Sequence, residues 1–197
     1  MARLDTETRQ GQIKKAVLEI ISEDGIGKLS TRNLAARVGV TEGALFRHFS
    51  SKKEIMLSIL QDVKHDLIAE QEKIVYSGLT AEEKLKNFLC LHIDYLIQNK
   101  GITMLLFSEA AHLNDTNLKT GLRHILLTQK EYVNKIVREG IKEGIWDGSI
   151  EVENVAMLYM GIPITLNIEL ILQTDRVSRD RFCERMLDLF SRILVKR

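Results

Sequence analysis

Proline occurs once in the 197 residues, at Pro163, and cysteine twice, at Cys90 and Cys183. A sandwich or barrel of this size needs many turns, and turns rely on Gly and Pro. Scarce punctuation beside abundant Leu, Ile, Glu and Lys therefore points to an all-α chain. Two cysteines inside apolar-periodic stretches cannot build a disulfide framework or a cysteine-based zinc site, so a reducing, intracellular setting is expected. Residues 1–12 are polar and mixed in charge, and no signal peptide is expected. Residues 155–172 are the longest apolar stretch, but Asn167 and Glu169 interrupt it, and it is expected to fall short of a membrane span. A soluble, cytoplasmic protein without a membrane partner is the expectation. Hydrophobic residues make up 45% and charged residues 28%, a globular balance that argues against wholesale disorder.

Net charge is only +1, yet it is unevenly spread. Residues 1–53 hold ten Lys/Arg and six Asp/Glu, a net of +4, and residues 54–197 hold 18 and 21, a net of −3. A basic head on a slightly acidic body fits a polyanion-binding end attached to something else.

Apolar spacings of three and four predict a helix over residues 6–23, ended by Asp24-Gly25-Ile26-Gly27. Ser30 and Thr31 cap a short helix over 32–38, Gly39 turns the chain, and Thr41 caps another over 42–48. Ser51 with Glu54 forms a capping box that opens a long helix over 52–75. Thr80 with Glu83 forms a second box, opening a helix to about 99. Further helices are predicted over 103–112, 116–143, 151–172 and, capped by Ser178, to about 196. Pro163 should kink the 151–172 helix. The total is about nine helices and no strand.

The most informative stretch is STRNLAARVGVTEGALFRHFSSKKEI, residues 30–55. Two short helices joined at a glycine are the sequence form of a helix-turn-helix. Ala35 and Ala36 let the helices cross closely. Thr41, Gly43 and Ala44 give the second helix a compact end that can enter a major groove, with Arg47 and His48 as donors further along. Thr31 and Lys52, each at a helix start, suit phosphates. The segment is similar to the DNA-binding head of the TetR family of transcriptional regulators. The likeness is carried by Thr31, Leu34, Ala35, Val38, Gly39, Val40, Thr41, Gly43, Leu45, Phe46, His48, Phe49, Ser51, Lys52 and Ile55. The resemblance implies phosphate contacts by Thr31 and Lys52, with Arg32 beside Thr31. Thr41, Glu42, Gly43 and Ala44 would open the recognition helix, and Phe46, Arg47 and His48 would face the DNA. Two positions depart from the family's habit. Phe46 stands where tyrosine is common, which removes a hydroxyl-to-phosphate bond. Glu42 puts a negative charge near the DNA, either to accept from a cytosine amino group or to cap the helix.

The division expected is a DNA-binding domain over 1–51 and a helical effector-binding and dimerisation domain over 52–197. Near all-round hydrophobicity in the last two helices suits a homodimer that buries Leu158, Ile162, Phe182, Leu189 and Ile193. Phe88, His92, Tyr95, Met104, Phe107, Gln129, Tyr132 and Met160 are candidate walls of an effector pocket, with Met157, Tyr159, Glu109, His112 and Asn167 nearby. Their chemistry suggests an apolar or amphipathic ligand.

Glu109 and His112 have the helical spacing of di-iron bundles, but those need a second such pair and two more carboxylates, and Asp62 with His65 is a poor second. No metal and no cofactor are expected. No catalytic residue, nucleophile motif or phosphate loop is found, and no enzyme activity is expected. The function expected is a dimeric regulator, most simply a repressor, released from a pseudo-palindromic operator on double-stranded DNA by a small-molecule effector. Two rivals are weighed beside it: a helical small-molecule-binding protein that does not bind DNA, and a ferritin-like metalloprotein.

Overall fold

A computed structural model describes residues 5–112, 115–172 and 179–195. All regular structure among the described residues is helical: α1 (Thr6–Asp24), α2 (Thr31–Val38), α3 (Glu42–Leu45), α4 (Lys52–Asp62), α5 (Ala69–Val75), α6 (Ala81–Gln98), α7 (Ile102–His112), α8 (Thr116–Lys142), α9 (Val152–Leu172) and α10 (Arg179–Leu194). A π-helical segment, Val63–Ile68, joins α4 to α5. The three run as one rod, so the described helices count as nine rods, as expected.

Side-chain caps account for most helix starts. Asp5, Ser30, Thr41, Ser51 and Thr80 each accept a backbone N–H three residues on, and Asp115 accepts from Asn117 and Leu118. Thr80 and Glu83 complete their capping box. The other box closes differently: Ser51 accepts from the Glu54 amide, but the Glu54 carboxylate turns back to the Ser50 amide and hydroxyl. Ser178 lies outside the described residues. The recognition helix is shorter than expected, because regular helix stops at Leu45 and residues 46–48 form a turn. Helix α9 continues through Pro163, which is buried.

Helices α1, α2 and α3 pack around Ile13, Val17, Ile20, Leu34 and Leu45, all at most 2% exposed, and form the head. The body is layered on α8, which contacts α4, α5, α6, α7 and α9. Close crossings need glycine. A Cβ on Gly121 of α8 would collide with Leu60 of α4, and one on Gly140 would overlap the buried indole of Trp146. Gly140→Ala is therefore expected to lower stability by about 2 kcal/mol, since overpacking against a rigid ring outweighs the gain in helix propensity. A shift in the urea midpoint checks it.

Two expectations are corrected here. Cys90 of α6 and Cys183 of α10, 93 residues apart, form a disulfide with Cα atoms 5.6 Å apart. Each sat in its own helical stripe, and nothing local indicated that the two stripes meet. Helix α9 is also long and apolar enough to cross a membrane by length and composition. Two polar residues near its C-terminal end do not offset that. In the fold it packs against α6, α7 and α8 and buries Tyr159, Leu166 and Asn167.

Candidate nucleic-acid interface and effector cavity

The head presents its second helix through one left-handed residue. Gly39 has φ +74°, and its amide bonds to Ala36 O at 3.1 Å while the Val40 amide reaches Ala35 O at 2.9 Å. These are the two bonds of a Schellman turn. Thr41 then caps α3, with its Oγ1 3.2 Å from the Ala44 amide. Leu45 and Phe49 point into the core. Arg32, Thr41, Glu42, Gly43, Phe46 and Arg47 are exposed together, with Thr31, Ala44 and His48 half-buried beside them. Gly43 has open space where a Cβ would stand, so no contact among the described residues accounts for a glycine there. Close approach of a partner would.

Two predicted contacts are already occupied by protein. The Thr31 hydroxyl donates to the Glu42 carboxylate at 2.7 Å, so Glu42 is tied to α2 rather than to its own helix terminus. Lys52, at the start of α4, lies 2.9 Å from Glu109 of α7, whose side chain is 8% exposed. Its neighbour Lys53 pairs with Asp115 at 2.6 Å. That bond and the Leu118 amide hold the Asp115 carboxyl below the usual carboxylate range. Lys14 of α1 pairs with Asp62 of α4 at 2.6 Å. The head is thus pinned to the rod, and the rod to α7 and α8, by ion pairs.

Glu109 is therefore a partner of Lys52. The His112 side chain lies outside the described residues, and among those described no cluster of His, Cys, Asp or Glu could hold a metal ion. Asp62 and His65 do not come together, since His65 pairs with Asp66 at 2.8 Å.

An apolar cavity of about 80 Å³ lies in the body. The π-helical segment contributes Val63 and Leu67, and α6 contributes His92, Tyr95 and Leu96. Ile102, Thr103, Leu106 and Phe107 come from α7, Leu122, Ile125, Leu126 and Gln129 from α8, and Met160, Pro163 and Ile164 from α9. His92, Tyr95, Phe107, Gln129 and Met160 thus stand where the sequence placed them. Three expected walls do not. Phe88 is fully buried against the rings of Tyr132 and Tyr159. Tyr132 stacks edge-on against Tyr76 at a separate surface groove. Met104 is 41% exposed. Of the neighbours, Met157 is exposed, while Tyr159 and Asn167 are buried outside the lining. Helical periodicity gave each its stripe but not the neighbour that covers it.

Residues 13–59 match the bacterial regulatory proteins of the tetR family, and residues 78–167 match a tetracyclin repressor-like C-terminal domain. The chain belongs to the tetR family. A nucleoid occlusion factor, SlmA, from Actinobacillus pleuropneumoniae is 29% identical over 120 residues, 60% of this chain and 59% of the relative. The chain thus spans about three fifths of that relative's length. Among solved structures, the ketosteroid transcriptional regulator KstR2 of Mycobacterium tuberculosis superposes with a TM-score of 0.77 at 17% identity, covering 96% of each chain. FadR from Bacillus subtilis, in complex with stearoyl-CoA, gives 0.66 at 22% identity, covering 91% of this chain and 96% of that one. At these identities the likeness to both structures is one of fold. The family is one of DNA-binding transcription regulators rather than enzymes.

The tetR-type body carries a buried polar cluster behind the cavity. His92 Nδ1 lies 3.1 Å from the Tyr159 hydroxyl, and Gln129 Nε2 donates to Gln71 Oε1 at 3.1 Å. Burial depresses the His92 imidazole from its ordinary 6.5 to about 4 and raises the Tyr159 phenol well above its usual value. Unfolded chains bind this proton below about pH 6.5 and the folded protein only below about 4, so stability falls as pH falls through that window. The full loss is about 3 kcal/mol, reached near pH 4. Urea titrations of wild type and His92→Phe across this range check it: the variant should lose the His92 share of the slope.

Helices α9 and α10 leave a second apolar surface uncovered. Leu158, Leu189 and Ile193 are about half exposed, and Ile162 and Phe182 partly so. Met157, Ile168 and Leu172 extend the face. Cys183, Phe190 and Leu194 lie on the opposite, buried side of α10.

Proposed function

We propose that this chain is a dimeric, cytoplasmic transcriptional regulator that represses from a pseudo-palindromic operator and is released by a small molecule held in the body cavity. The observation that carries this reading is the mechanical continuity between the two sites. Helix α7 supplies four cavity-lining residues and Glu109, and Glu109 holds Lys52 at the first turn after the head. The reading divides the chain into a head over residues 1–51 and a body over 52–197. No catalytic step is assigned to it.

In this mechanism the exposed group on α2, α3 and the turn after it reads one half-site. Arg47 and the compact Gly43–Ala44 end meet base edges, Arg32 meets the backbone, and the Phe46 ring contacts sugar or base methyls. The Glu42 carboxylate, fixed by Thr31, opposes phosphate at that point and leaves room for a donor such as a cytosine amino group. Lys52 exchanges Glu109 for a phosphate when DNA is bound. An effector that moves α7 shifts this exchange, provided it binds the two states with different affinity.

Glu109→Gln should then raise operator affinity. With Lys52 about one third exposed, the pair is worth about 0.5 kcal/mol, and two are relieved per dimer, so the gain is about fivefold. Fluorescence anisotropy with the selected operator measures it. Selection from a random-sequence DNA library at two salt concentrations tests the reading as a whole. An enriched inverted repeat, bound with a steep salt dependence, supports it, since phosphate contacts release counterions. Absence of any enriched sequence in ligand-stripped protein sinks it.

A further inference from the structure

The polar atoms around the cavity narrow the class of effector, an inference that rests on the regulator reading above. From the cavity's lining and its buried hydrogen bonds we infer that it takes an uncharged ligand with an apolar body and a hydrogen-bond acceptor of carbonyl or ester type, met by the imidazole N–H of His92.

Among the described residues the lining contains no Lys, Arg, Asp or Glu. An ion entering it would lose water without meeting a counter-charge, which a buried site does not tolerate. Tyr95 separates the cavity from a groove that carries Glu19, Asp62, Asp66 and Asp94 beside Lys14, Lys15 and Lys100. Burial and then Asp66 and Asp62 push the Tyr95 phenol up, so it keeps its proton.

The hydrogen-bond inventory supplies the second half. Gln129 Nε2 donates to Gln71 Oε1 and also lies 3.5 Å from His92 Nδ1. The Tyr159 hydroxyl approaches the same Nδ1. An amide nitrogen can only donate, so Nδ1 is the acceptor and the imidazole hydrogen sits on Nε2. Gln71 Nε2, fully buried, has no partner among the described residues. Gln71 does not line the cavity, and both Gln129 amide hydrogens are spent on Gln71 Oε1 and His92 Nδ1, so the Nε2–H of His92, a lining residue, is the donor left for a ligand that brings an acceptor. The cavity is smaller than the roughly 150 Å³ void that takes up benzene, so a ligand of useful size must displace its wall. Among the walls, α7 is the one that carries Glu109.

Calorimetric titration of the full-length, ligand-stripped protein with 2-octanone, octanoate and octylammonium at neutral pH tests this. The ketone should bind at least tenfold more tightly than either ion. Gln129→Glu should reverse the order in favour of octylammonium, and His92→Phe should weaken the ketone about tenfold. Equal or tighter binding of either ion to wild type overturns the inference, as does no binding of any of the three. Should His92→Phe fail to fold, Gln129→Glu decides: an unchanged preference overturns the inference. Operator binding by the ligand-free protein is measured in parallel. Intact operator binding with the wrong ligand preference overturns the ligand class alone. Loss of operator binding overturns the regulator reading and leaves the calorimetry standing.

Discussion

Placing a charge on the α9–α10 face, as in the double variant Leu189→Glu/Ile193→Glu, is expected to yield a folded monomer whose operator affinity falls by two orders of magnitude or more. Both side chains are about half exposed in the single chain, so the variant loses little core packing. In a dimer the same side chains would meet their symmetry copies, and four carboxylates would be buried at one seam without partners. A monomer engages one half-site. The second head then no longer benefits from being held at a high effective concentration, a factor on the order of 10²–10⁴. Sedimentation gives the oligomeric state and anisotropy the affinity. A monomer that keeps full operator affinity would refute the two-half-site mechanism, and a persistent dimer would place the interface elsewhere.

Much of this fold could be read because helix ends are local. Ser30, Thr41, Ser51, Thr80 and Asp115 announce their helices by side chains that reach two or three residues on, and the structure places each cap there. The positive φ at Gly39 follows equally from its place between two short amphipathic runs. What escaped the sequence depends on distant neighbours. Val63 and Leu67 belong to the same stripe as Ile59, yet only the π-helical turn and the arrival of α7 make them cavity walls. Lys52 carries the family's pattern for a phosphate contact, and nothing at that position reveals Glu109, 57 residues away. Phe88 and Tyr132 have suitable chemistry for a pocket but find each other instead.

The Glu109–Lys52 pair also shows why a modest ion pair can matter functionally. As a contribution to stability it is small, because Lys52 remains about one third exposed. In the proposed mechanism it acts as a switch, because the same ammonium would have two mutually exclusive acceptors, the Glu109 carboxylate and an operator phosphate.

Reduction of the Cys90–Cys183 bridge is expected to lower stability by about 2–4 kcal/mol and to weaken the dimer with it. The bond closes a separation of 93 residues, and a loop of that size gives about 4–5 kcal/mol in the chain-entropy limit, of which proteins usually realise less. Helix α10 depends on it more than other helices do, since its main contacts within the chain are with α6, the helix to which the bond ties it. Phe190 and Leu194 on its inner face would still pack, so α10 should loosen rather than detach. The outer face of the same helix carries Leu189 and Ile193, so any loosening is felt at the dimer seam. Urea unfolding with and without a phosphine reductant gives the first effect, and sedimentation of both samples gives the second. Cys90→Ser/Cys183→Ser supplies the control, because its stability should match that of the reduced protein and ignore the reductant. A wild type that is equally indifferent to reductant would mean that the two thiols stay open in solution. Helix α10 would then be held by packing alone.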